Sequence, residues 1–175
     1  MKMIKGTLGL NVENSKYILK LSIEAILIGL FSGLVVSLYR LSLNTSENIL
    51  FSTIEYVKGD LFLTMAWFCI LAIMGFITAL LVKWDPDISG SGIPHVMGEV
   101  KGYFDVNWWK ATIAKFIGGT LTALGGLSLG REGPSVQLGA MVAKGVSKRL
   151  PNTKTDEKRL LVCGSGAGLA ATFSA

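Results

Sequence analysis

Two charged residues stand where the surrounding chain is uncharged. Phe116 to Gly130 is 15 residues without a charge, and Gly133 to Ala143 is 11 more. Arg131 and Glu132 lie between them, inside Gly130-Arg131-Glu132-Gly133-Pro134. A membrane-crossing helix needs roughly 20 apolar residues, so neither run crosses a bilayer unaided. Together they predict two half-helices that meet inside a membrane with the charges at the break. Interrupted helices of this kind mark ion and substrate sites in transporters. An ionisable residue at that depth costs about 2.5 to 3.5 kcal/mol on insertion scales, so its first reading is functional.

The rest of the chain agrees with a bilayer as solvent. Of 175 residues, 50% are hydrophobic, and the mean hydropathy is +0.51. Leu61 to Val82 is 22 residues without a charge, and Leu21 to Leu38 is interrupted only by Glu24. Both predict spanning helices. The first 20 residues contain four lysines and no apolar segment long enough for a cleavable signal.

The net charge of +5 is unevenly placed. Lys2, Lys5, Lys16 and Lys20 outweigh Glu13, whereas Glu47, Glu55 and Asp60 outweigh Lys58. Six basic residues between Lys144 and Arg159 face Asp156 and Glu157. Basic loops stay in the cytoplasm, which predicts the N-terminus inside, 44–60 outside and 144–159 inside. The charge thus reads as a topology signal, with no nucleic-acid motif beside it.

Expected organisation follows from these signals. Residues 1–16 form a cytoplasmic lead-in and 17–175 a transmembrane domain. A helix runs from Lys16 to about Leu43, and a loop occupies 44–60. The second helix breaks at Lys83 to Asp87. A short helix starts near Pro94, another covers 110–129, one runs from Pro134 to about Leu150, and the last starts at Glu157. Gly29 and Gly33 offer a small-residue face for a neighbouring helix. Fifteen of the 21 glycines fall at or after Gly90, which predicts dense helix packing there. Trp108 and Trp109 suit a headgroup-level belt. The chain stops among small apolar residues without a cap, so it is expected to be the N-terminal part of something longer.

Two segments point to chemistry. Gly92-Ile93-Pro94 and Gly133-Pro134 are natural helix starts, because proline at the first turn needs no amide partner. Each start exposes free amides and about half a positive charge. Two such ends aimed at one point would bind a bare anion without a trapping fixed cation. Ser91 adds a hydroxyl donor, and amides around Gly130 to Gly133 add more. A carboxylate at Glu132 would compete with the anion when ionised and withdraw when protonated. One residue would then gate anions and carry a proton.

Gly90-Ser91-Gly92-Ile93-Pro94 and Gly130-Arg131-Glu132-Gly133-Pro134, in this order, resemble two signature motifs of the CLC family of chloride channels and proton/chloride exchangers. Lys115 to Thr120 and the Gly-Ala-Gly-Leu-Ala-Ala run at 166–171 are also similar to that family. The resemblance spans about residues 20–175. It implies an all-α integral membrane fold with inverted repeats and broken, tilted helices, of which this is the first, incomplete part. Ser91 would be a central chloride ligand, with Gly92 and Ile93 beside it. Backbone amides at Gly130, Arg131 and Gly133 would line the outer site, Glu132 would be the gate, and Lys115 would add positive potential. The resemblance implies no enzyme activity and no cofactor or metal, with chloride and protons as substrates. It also implies a homodimer in the bilayer, and a bacterial cell membrane fits. The motifs leave antiporter, passive channel and non-transporting fragment open.

Plainer readings stand beside these. Glu132 could be a structural acid paired with Arg131 or Lys115, Ser91 only a helix cap, and Lys115 a snorkelling or paired cation. His95 reads as an ordinary helix-start residue, and Glu24 has no assigned role. Cys69 and Cys163 read as buried free thiols. Gly164 to Gly168 mimics a dinucleotide fingerprint, but no strand precedes it. An intramembrane enzyme would need a nucleophile and base or a ligand cluster, which one histidine does not supply.

Overall fold

Asp60 decides where the second helix begins. Its carboxylate accepts from the amides of Phe62 (2.8 Å) and Leu63 (3.2 Å), which satisfies two of the free donors at a helix start. A computed structural model describes residues 2–127 and 129–173, with side chains from Ser15 onward. Six helices follow one another: α1 (Lys2–Val57), α2 (Leu61–Trp84), α3 (Ile93–Lys101), α4 (Trp108–Leu124), α5 (Glu132–Ser147) and α6 (Lys154–Phe173). A 3-10 turn, Pro86–Ile88, joins α2 to the first motif. Among the described residues there is no strand. Ser174 and Ala175, in the uncapped terminal run, lie outside the described residues.

The loop expected over 44–60 is helical to Val57. Three of its hydroxyls are absorbed by the helix itself. Thr45, Ser52 and Thr53 donate to the carbonyls of Leu41 (2.9 Å), Asn48 (3.0 Å) and Ile49 (2.7 Å), four residues back. The first residue to stop the helix is Gly59, at φ 103°. Residues 2–16 of the expected lead-in belong to α1 as well. At about 1.5 Å per residue, the 56-residue α1 is more than twice as long as a ~30 Å hydrocarbon core is thick.

Other boundaries shift by a few residues for visible reasons. α4 ends at Leu124, short of 129, because Gly126 turns left-handed at φ 82° and Leu127 bonds back to Thr122 (3.0 Å). That is the glycine-led stop of a helix C-terminus. α5 starts at Glu132, two residues before Pro134, and ends at Ser147 before Leu150. α6 starts at Lys154, three residues before Glu157.

The centre of the molecule is α5. Leu138, Ala140, Met141 and Ala143 are fully covered. Small residues set the spacing between α5 and α6. A side-chain carbon on Gly139 would run into the Gly164 carbonyl, and one on Gly168 into the Ser135 carbonyl. From the other side, Ser32 of α1 donates to the Gly139 carbonyl (3.0 Å). The small-residue contact of α1 is therefore Ser32. Gly29 and Gly33 have no atom within 4 Å of where a Cβ would stand.

Lys144, 1% exposed, is the largest fully covered side chain among the described residues. It pairs with Glu99 of α3 and donates to Asp105 (2.6 Å) and the Val106 carbonyl (2.7 Å). Glu99 in turn accepts the Val106 amide (2.8 Å). The lysine thereby fixes α3 and the connection 102–107 onto α5. Its hydrogen bond holds the Asp105 carboxyl below the ordinary value of 3.8.

Trp108 is less a belt residue than a packing one, because its ring lies against Gly145 and joins the core. Trp109 stays exposed, edge-on to Trp84 with centroids 5.7 Å apart. Both cysteines are free and exposed, contrary to the expectation of buried thiols. Each sits on a helix at a position that its own bundle leaves uncovered. Glu24 is buried and faces Lys20 one turn earlier, at 3.6 Å.

Candidate functional site

A cavity of about 900 Å³ lies between α1, α2 and α4 and is closed by the two motif segments. Ser91, Ile93, Lys115, Gly130, Arg131, Glu132 and Gly133 all line it. Residues about 40 apart in sequence are thus brought to one wall. The contact between them is direct: a Cβ on Gly133 would stand 2.5 Å from the Ser91 carbonyl oxygen. Only a residue without a side chain lets the motifs approach so closely. Gly92 is the expected site residue that does not line the cavity. It is buried against Gln137, in the left-handed region at φ 87°.

Both helices that start here are unsatisfied at their first turn. In α3 the first backbone bond is Val96 to Gly92 (3.1 Å), and in α5 it is Ser135 to Arg131 (3.2 Å). The amides of Ile93 and His95, and of Glu132 and Gly133, therefore have no partner within their helices. Pro94 and Pro134 occupy the positions where a further donor would otherwise go. Each end carries the positive pole of its helix.

Ser91 does not cap α3. The cap position is Gly92, with no side-chain bond, and the serine is exposed toward the cavity. Lys115 neither snorkels nor pairs with an acid. It is 6% exposed and donates to the carbonyls of Ile88 and Gly90, each at 2.8 Å. These bonds hold the first motif in place on α4 and leave the ammonium charge beside the cavity.

The Arg131 guanidinium turns away to α1. It donates to Asn44 (2.8 Å) and pairs with Glu47. Glu132 is exposed at the cavity wall, and among the described residues no hydrogen bond or ion pair engages its carboxylate. The structural pairing considered for Glu132 with Arg131 or Lys115 is therefore not formed.

Tyr39 on the cavity wall and Gln137 beside the first motif carry no signal in the sequence. Tyr39 of α1 is 2% exposed, lines the cavity, and places its hydroxyl where Gly119 has no side chain. Its ring stands edge-on to Phe116, at 5.3 Å between centroids. Gln137 donates to the Asp87 carbonyl (2.7 Å) and so ties α5 to the turn before the first motif. His95 packs near Phe104 at 6.0 Å, and its Nδ1 is buried without a partner among the described residues. Among those residues no group of three or more His, Cys, Asp or Glu could hold a metal.

Residues 70–175, more than half of the chain, match the family model described as Voltage gated chloride channel. The chain belongs to the CLC family. The matched region begins inside α2 and takes in both motif segments, Lys115 and every helix from α3 to α6. Chloride transport is the general function of CLC proteins. α1 and α2 also contain stretches long and apolar enough to cross a membrane, Ser15–Val57 and Leu61–Trp84. As a CLC chain with two such helices, this is a membrane protein.

Proposed function

We propose that this CLC protein exchanges chloride for protons, with the anion held at the starts of α3 and α5 and Glu132 serving as gate and proton carrier. The observation that carries the reading is the state of Glu132. It stands beside two unsatisfied helix ends, yet both neighbouring cations are committed elsewhere. An ionised carboxylate there competes with chloride for the same amides. A protonated one gives up that claim and can take its proton across.

Ser91 supplies a hydroxyl to the anion. Gly92 and Ile93 supply the first turn of α3, and Gly130, Arg131 and Gly133 supply backbone amides around the second end. Lys115 contributes positive potential without a direct contact that would trap the ion. No cofactor or metal is needed for this chemistry.

The proposal includes a topology. Lys20 of α1 donates to the Pro151 carbonyl (3.0 Å), and Arg159 of α6 donates to Tyr17 (2.7 Å). The two basic segments thus lie at one end of the molecule, which fits a cytoplasmic face. Residues 17–175 would belong to the transmembrane domain, crossing the bilayer several times. The homodimer and the bacterial cell membrane rest on the family resemblance.

Reconstituted liposomes test the mechanism. A chloride gradient should drive proton uptake in the unmodified protein. Glu132→Gln should abolish that uptake and leave chloride efflux insensitive to pH. Proton uptake that survives the substitution would refute the role of Glu132. Chloride efflux without any proton movement in the unmodified protein would instead make it a passive channel.

A further inference from the structure

We propose that Glu47 and Asn44 of α1 are positioning residues that keep the Arg131 guanidinium off the Glu132 carboxylate. The inference rests on the gating role proposed for Glu132. Arg131 and Glu132 are adjacent in the chain, and both line the cavity. A guanidinium is the strongest carboxylate partner available to a protein, because its planar fork donates two parallel bonds. Left alone, Arg131 would tie Glu132 down and hold the gate in one place.

The geometry prevents this. One nitrogen of the fork goes to Asn44 (2.8 Å) and the other to Glu47. These two are three residues apart on α1, so they share one face of the helix. Together they match the spread of the guanidinium. The other charged side chains lining the cavity do not compete. Lys115 of α4 is held by two carbonyls, and α2 contributes only Thr78 and Val82. Glu132 is the one further carboxylate on the cavity wall, so it is the acceptor to which a released Arg131 would turn.

The continuation of α1 beyond Leu43 acquires a purpose in this way. Without the helical turn that contains Asn44 and Glu47, nothing would face Arg131 at that place.

The test is chloride efflux from liposomes containing Glu47→Gln, alone and combined with Glu132→Gln. With Glu132 present, Glu47→Gln should slow maximal efflux about fivefold, the scale of one half-exposed ion pair. The chloride concentration for half-maximal efflux should change less than about twofold. Glu47→Asp should restore much of the rate. In the Glu132→Gln background, Glu47→Gln should have no effect, since no carboxylate remains to be captured. Equal slowing in both backgrounds would reduce Glu47 to a structural contact and overturn the inference, as would an unchanged rate in the single variant. If Glu47→Gln does not fold, Asn44→Ala removes the second bond and should give a smaller slowing with the same dependence on Glu132. If Glu132→Gln alone leaves coupling and pH response unchanged, the gating reading fails first, and this inference fails with it.

Discussion

Gly133 is where one added carbon should matter most. Its Cα faces the backbone of Ser91, and that backbone has nowhere to go, since Lys115 grips the carbonyls on either side of Ser89. Gly133→Ala should therefore destabilise the junction by about 1–3 kcal/mol, the usual cost of overpacking. It should also weaken chloride binding. Thermal unfolding in detergent checks the first effect and titration calorimetry the second. An unchanged melting temperature with full chloride affinity would contradict the close approach. At this scale the sequence was informative about identity and poor about allocation. Arg131 and Glu132 stand out because they interrupt uncharged runs, and Ser91 and Lys115 through the motifs and the family resemblance. What Arg131 and Lys115 bind did not, because Glu47 lies 84 residues from its partner and the carbonyls of Ile88 and Gly90 belong to an irregular turn. The buried positions of Tyr39 and Gln137 depend on packing that no local pattern encodes.

Among the helices, α5 has the most to lose, because it meets α1, α3, α4 and α6. Lys144 pins α3 to it through Glu99 inside the core. Lys144→Met would leave Glu99 buried and unpaired, a loss of about 3–5 kcal/mol. Adding Glu99→Gln should recover a large part of it, because the stranded charge is gone. The melting temperatures of the two variants decide the point, and a Lys144→Met protein as stable as the parent would show that the pair is not part of the fold's support. Helix existence was legible from uncharged runs and the start of α3 from Pro94, but the end of α4 at Gly126 was not, because the uncharged run continues to Gly130. The far half of α1 was not, since its acids and hydroxyls read as a loop until Thr45, Ser52 and Thr53 are seen to bond one turn back. The Gly29 and Gly33 face was misjudged for a similar reason. A small-residue spacing shows that a helix could approach, and Ser32 shows where one does.

Over the whole molecule, the CLC match and the cavity make one arrangement out of distant pieces. Two motifs, a lysine on α4 and the C-terminal half of α1 meet around about 900 Å³. Fold class and motif order were readable because bilayer constraints leave few solutions for uncharged, glycine-punctuated runs. The meeting of the motifs at Gly133 and Ser91 needed coordinates. The central claim is that this meeting point binds chloride, and calorimetric titration of chloride into the purified protein, beside Ser91→Ala, tests it most directly. The account predicts saturable binding that Ser91→Ala weakens about tenfold or more, as expected for losing a hydrogen bond to a charged group. Absence of saturable binding, or equal affinity in the two proteins, would contradict it.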